Sequence, residues 1–111
     1  GNMHNTANID LNQMEQSATR ACSLMKTLGH KDRLMILCHL AGGEKSVSEI
    51  ARLLNIPQSP LSQHLSRMRK EGLVHTRREA QTIYYSVKSG EASQVVKVLY
   101  DLYCDPEGCS I

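Results

Sequence analysis

The sequence predicts a mainly α-helical fold with one β-hairpin, and three features predict it. Apolar residues recur at three- and four-residue steps through successive stretches up to Gly72. The period then falls to two between Gly72 and Lys88, in segments rich in Val, Ile, Thr and Tyr. Helical spacing returns from Ser89 to Tyr103.

Taken in order, residues 1–9 are polar and unpatterned and read as a disordered tail, with Gly1 and Asn2 before Met3 as a cloning remnant. Asp10 is placed to N-cap a first helix whose stripe is Leu11, Met14, Ala18, Ala21, Cys22, Met25 and Leu28, ending near Gly29. A second helix starts around His30. Its apolar residues, from Leu34 to Ala41, cover most of the circumference and predict burial on more than one side, before Gly42-Gly43 stops it. Ser46-Val47-Ser48-Glu49 is a capping box opening a short helix over 47–54, with Ile50, Ala51, Leu53 and Leu54 inward. A turn over 55–58 follows. Ser59 and Pro60 then read as N-cap and first residue of a helix carrying Leu61, Leu65 and Met68 on one face. Strands over 73–77 and 82–87 flank the polar loop Arg78-Glu79-Ala80-Gln81. The last helix carries Val95, Val98, Leu99 and Leu102, and Pro106 limits its continuation into a flexible tail over 105–111.

With 111 residues the chain holds one modest core, over 10–104, which argues against a large enzyme. The absence of Phe and Trp leaves Leu, Ile, Val, Met and Ala to build it. No stretch approaches the length of a membrane span and no apolar leader opens the chain, so a cytoplasmic location with reduced thiols is expected. Four cysteines, Cys22, Cys38, Cys104 and Cys109, are then metal-binding, redox-active or buried rather than structural disulfides. The net charge of +2 is weak evidence for nucleic acid, but its distribution is not uniform. Between residues 59 and 88, Arg67, Arg69, Lys70, Arg77, Arg78 and Lys88 against Glu71 and Glu79 leave +4.

Two short helices joined by a tight turn and followed at once by a hairpin make a winged helix-turn-helix, whose second helix enters the major groove of DNA while the wing follows the phosphates. Gln58, Ser59, Ser62, Gln63, His64 and Arg67 are short or bidentate hydrogen-bonding groups suited to base edges and phosphate oxygens. Arg77 and Arg78 sit at the hairpin tip with Gln81 opposite. Taken singly, each residue reads more readily as solvated surface than as a DNA contact; the ordered combination is what points to double-stranded DNA. The stripes on the first and last helices exceed what one small core covers, so they are expected to pair in a homodimer reading a palindromic operator.

Leu61-Ser62-Gln63-His64-Leu65, then Glu71-Gly72-Leu73-Val74, then the segment from Arg77 to Tyr85, resemble the ArsR/SmtB family of dimeric winged-helix repressors, over about residues 10 to 104. Members of that family commonly sense metals. One of their sites needs a Cys-x-Cys where this chain has Ser46 and Ser48, and another needs Asp and His on the last helix, which has no histidine between Ser89 and Tyr103. Serine is a poor ligand for soft metals, so no metal and no cofactor is expected at either place. Ile36-Leu37-Cys38 and Leu102-Tyr103-Cys104 are instead similar to the dithiol persulfide- and redox-sensing branch, the BigR, SqrR and HlyU-like regulators. That resemblance implies that Cys38 and Cys104 are sensing thiols whose bridging by reactive sulfur weakens operator binding.

Cys22, between Ala18 and Met25, reads as a packing residue, and Cys109 as an incidental thiol or a second resolving one. Three alternatives stay open: a metal-sensing repressor using these thiols with a histidine, a redox-controlled activator that displaces another DNA-bound protein, and a small sulfur-transfer enzyme using Cys104.

Overall fold

The computed structural model describes residues 10–88 and 90–104. The expectations for residues 1–9 and 105–111, for Cys109 and for Ser89 lie outside the described residues. Five helices and three strands follow one another: α1 (Leu11–Leu28), α2 (Lys31–Ala41), β1 (Lys45–Ser46), α3 (Val47–Leu54), α4 (Gln58–Lys70), β2 (Val74–Glu79), β3 (Thr82–Val87) and α5 (Gly90–Tyr103).

The helix starts follow local chemistry. The Asp10 carboxylate accepts from the Asn12 amide at 3.0 Å. His30 caps α2 with its ring, Nδ1 accepting from the Asp32 amide at 3.1 Å. The capping box of α3 is closed in both directions, Glu49 N–H donating to Ser46 Oγ at 3.2 Å and Ser46 N–H donating to Glu49 Oε1 at 2.8 Å. Asn55 then takes a left-handed conformation, φ 55°, and reverses the chain.

The start of α4 corrects the expected Ser59 cap. The helix begins at Gln58, its N-cap position is Pro57, and no side chain caps it. Pro57 supplies an extended backbone whose carbonyl accepts from the Leu61 amide at 3.1 Å, so Ser59 and Pro60 fall inside the first turn, where Pro60 lacks only a donor that would have no helical partner. Gly72 ends the helix at φ +78°, a conformation costly for any side chain.

The hairpin is longer and its turn tighter than the sequence suggests. Glu79 pairs with Thr82, so only Ala80 and Gln81 remain outside the ladder, with Ala80 at φ 56°. A further strand was not legible: β1 pairs antiparallel with β3 (Lys45 with Tyr85, Ser46 with Tyr84), giving the order β1-β3-β2. Two residues carry no period, and this strand exists only because β3 lies beside it.

The core gathers Ile36 and Leu37 of α2, Ile50 of α3, Leu61, Leu65 and Met68 of α4, and Ala92 and Val96 of α5. Two expectations are corrected there. Leu53 is 47% exposed rather than inward, and Cys22, read as a packing thiol, is exposed. For Cys22 the reason is common to most of α1: its buried residues are Thr27 and Leu28, with Leu24 partly buried against the core. Leu11, Met14 and Met25 on α1, and Val98, Tyr100, Leu102 and Tyr103 on α5, are left exposed.

Candidate nucleic-acid interface

The buried residues of α4 recur at positions 61, 65 and 68 and fix its inner face, so the opposite face is set by spacing alone. Ser59, Ser62, Gln63 and Arg67 are exposed there, with Gln58 exposed at the first residue of the helix and Arg69 and Lys70 exposed at its end. These side chains lie on a helix held by packing to α3 and β2, which gives the rigid presentation that base reading needs.

His64 does not share that face. Its side chain is 16% exposed and lies against the start of α2, with Nε2 4.0 Å from Asp32 Oδ2 and its ring 4.7 Å from the His30 ring at 55°. Burial first, and then the His30 charge, lower the pKa of His64, so the imidazole is neutral at neutral pH.

On the wing, Arg77, Arg78 and Gln81 are exposed, but they are not equivalent. The Arg77 guanidinium donates to the Glu44 carboxylate and to Glu79 Oε1, and its Cζ stands 4.7 Å over the Tyr84 ring. The Glu44 hydrogen bond, then that of Glu79, raises the Arg77 pKa further above its ordinary value. The same bond from Arg77 holds the Glu44 carboxyl below the usual carboxylate range. Glu44 was not singled out from sequence, because it lies 33 positions before Arg77 and only the β1–β3 pairing brings them together.

Glu44→Gln is therefore expected to release Arg77 toward phosphate, raising DNA affinity severalfold at low salt and steepening the salt dependence by about 0.9 in log–log slope. The depressed carboxyl gives the sign of the pH effect: Glu44 stays ionised at neutral and mildly acidic pH, so the gain is constant there. Anisotropy titrations at several salt concentrations check it, and an unchanged slope would leave Arg77 outside the DNA contact.

Of the candidate sensing thiols, Cys38 lies where α2 packs on α5, and Cys104 directly follows the last residue of α5. Cys38 is half-buried beside a cavity of about 280 Å³, lined from α2 by Ala41 and Gly42 and from α5 by Ser93, Val96, Lys97 and Tyr100. Burial pushes the Cys38 thiol up. Cys104 is also half-buried, and its N–H donates to the Tyr100 carbonyl at 2.7 Å. Since Tyr100 lines the Cys38 cavity, Cys104 stands one turn farther along α5, about 6 Å in axial rise. No helix among the described residues is long and apolar enough to cross a membrane.

Comparison with known proteins agrees with this architecture. Residues 30–76 match the family described as "Bacterial regulatory protein, arsR family". The chain is 43% identical over 98 residues to the transcriptional activator HlyU of Vibrio cholerae, covering 88% of this chain and 91% of that protein. It is 46% identical over 99 residues to the biofilm growth-associated repressor of Agrobacterium fabrum, covering 89% and 85%. The structure of reduced HlyU from Vibrio cholerae superposes with a TM-score of 0.81, covering 84% of this chain and 98% of that one. A homodimeric winged helix-turn-helix DNA-binding domain from Mycobacterium bovis, 26% identical, superposes with a TM-score of 0.72, covering 81% and 83%.

Proposed function

The chain belongs to the arsR family of bacterial regulatory proteins and is a transcriptional regulator rather than an enzyme, and on that premise we propose that it is a homodimeric repressor whose operator affinity is lost when Cys38 and Cys104 react with persulfide. The observation that carries the DNA-reading half is the exposed polar face of α4, from Gln58 to Arg67, set beside the basic wing. The exposed apolar residues of α1 and α5 supply a face for the second protomer, and the Mycobacterium bovis relative is described as homodimeric. Two such protomers meet a palindromic operator in successive major grooves, roughly 34–36 Å apart. The working compartment is the cytoplasm, where the DNA is.

The chemistry closes with no further oxidant. A Cys104 thiolate attacks the outer sulfur of a hydropersulfide, releasing a thiol and leaving Cys104 persulfidated. Cys38 then attacks the inner sulfur, giving a disulfide and releasing hydrogen sulfide. A second persulfide equivalent gives a bridge longer by one sulfur. Burial raises the Cys38 thiol and so disfavours it as the first nucleophile, which assigns that attack to Cys104. A bridge would join α2, which carries Cys38 and packs on α3, to α5 of the dimer face.

The sign of regulation has a second reading. Relatives are named both activator and repressor, so the same loss of binding can be read as a redox-controlled activator that no longer displaces another protein from DNA.

The test of DNA reading is titration of a duplex selected by the reduced chain from a random pool. Two protomers per duplex are expected. Arg78→Ala should weaken binding across all sequences and lower the salt slope by about 0.9. Binding that is equally tight to every duplex, or a slope that Arg78→Ala leaves alone, contradicts this reading.

A further inference from the structure

His30, Asp32 and His64 form the one group of three metal-ligating side chains found close together among the described residues, and the proposed thiol switch makes no use of it. One ligand atom from each lies within 4.8 Å of the others. His64 comes from α4, while His30 and Asp32 come from the first turn of α2, so the three donors join two elements that are not adjacent in sequence. Bonds of about 2.0–2.2 Å to zinc bring tetrahedral donors within roughly 3.5 Å of each other. The group is therefore about 1 Å too open, a gap that rotation of the exposed His30 and the partly exposed Asp32 closes without moving either helix.

We propose that His30, Asp32 and His64 bind one borderline divalent transition-metal ion, of the zinc, cobalt or nickel class, pinning α4 to the start of α2. Two imidazoles and one carboxylate match that class, whereas magnesium and calcium demand oxygen donors. The surroundings sharpen the choice. Arg33 and Arg67 lie close enough to act on His64, and the positive end of the α2 dipole faces the site. A hard cation held by charge alone is disfavoured there, and an ion bound through nitrogen lone pairs is not.

Binding also has a structural signature. His30 Nδ1 accepts from the Asp32 amide in the empty site. Coordination through Nδ1 displaces that bond, and coordination through Nε2 moves the ring proton to Nδ1 and ends its role as acceptor. Either way the metal replaces the cap, so the Asp32 amide must respond.

The experiment uses the full chain with Cys22, Cys38, Cys104 and Cys109 replaced by serine, which removes thiol ligation. Titration with Co²⁺ should give a visible d–d band saturating at one ion per protomer and displaced by Zn²⁺. His30→Gln and His64→Gln should each lower Co²⁺ affinity at least tenfold, while His39→Gln leaves it unchanged. As a readout that requires no variant to fold, ring-nitrogen NMR of the reduced natural chain with Zn²⁺ should shift His30 and His64 together with the Asp32 amide. No saturable binding in the serine-substituted chain, affinity left unchanged by His30→Gln or by His64→Gln, or shifts confined to His4, His39 or His75 each overturn the site.

Discussion

Cys38→Ser and Cys104→Ser are each expected to bind the selected operator duplex as tightly as the natural reduced chain, and to keep that affinity after persulfide treatment. The natural chain should lose roughly 5- to 150-fold under the same treatment, since allosteric couplings of this kind amount to about 1–3 kcal/mol. Both halves follow from position. Neither cysteine lies on the exposed face of α4 or on the wing, so serine removes no DNA contact. Each contributes one of two sulfurs to a bridge, so losing either leaves at most a persulfide that nothing can resolve. Cys22→Ser is the control: it contributes no sulfur to the proposed bridge, so it should leave the loss of affinity unchanged.

Anisotropy before and after treatment measures the response, and intact-mass and peptide mapping identify the bond formed. A mapped Cys38–Cys104 link, with or without added sulfur, separates this mechanism from metal binding by the thiols. If either serine variant still releases DNA as the natural chain does, that cysteine is not part of the switch. Because burial pushes the Cys38 thiol up, alkylation of Cys38 should quicken with pH past the ordinary thiol value of about 8.5 without levelling at neutrality.

What could be read from sequence was whatever local chemistry decides. The Ser46–Glu49 capping box, the Gly72 stop and the change of period after it lie within a few residues of their effects, and they place the helix-turn-helix and the wing. Partners that come from afar leave no such local trace. β1 forms only against β3, and Glu44 reaches Arg77 only through that pairing. His64 sits in a helical phrase that suits DNA contact, yet it lies three residues after Leu61 and four before Met68, which turns it to the inner side of α4 and toward α2, where His30 and Asp32 meet it. The stripe on α1 is an amphipathic face as expected, but one protomer leaves it uncovered, which a pattern of apolar residues alone does not distinguish from core.

Arg33→Met is expected to destabilise the fold by about 2–4 kcal/mol, the range for removing one partner from a buried charged hydrogen-bonding group. Arg33 is 8% exposed and its Nε donates to the Thr27 carbonyl at 3.0 Å, with a longer contact of 3.4 Å to the Lys26 carbonyl. Those carbonyls belong to the last turn of α1, where helical partners have run out. Methionine keeps the length of the side chain but supplies no donor, so the buried carbonyl of Thr27 loses its closer partner and keeps only the His30 amide at 3.5 Å. The loss then spreads. The Thr27 hydroxyl donates to Glu71, and Glu71 accepts from Arg67 Nε at 3.1 Å, so one network joins the end of α1 to α2 and to the end of α4. Arg33→Lys should recover only part of the stability, because an ammonium lacks the planar fork that reaches two carbonyls at once. Urea unfolding at fixed protomer concentration reads the change as a lower midpoint with an unchanged slope, and the melting temperature should fall by roughly 10 °C or more. A midpoint within error of the natural chain would mean that water satisfies those carbonyls. Since the network is what ties the helix proposed to read DNA to the helix proposed to dimerise, Arg33→Met should also blunt the persulfide response in the fraction that remains folded, as a looser joint transmits less of the strain at Cys38 and Cys104.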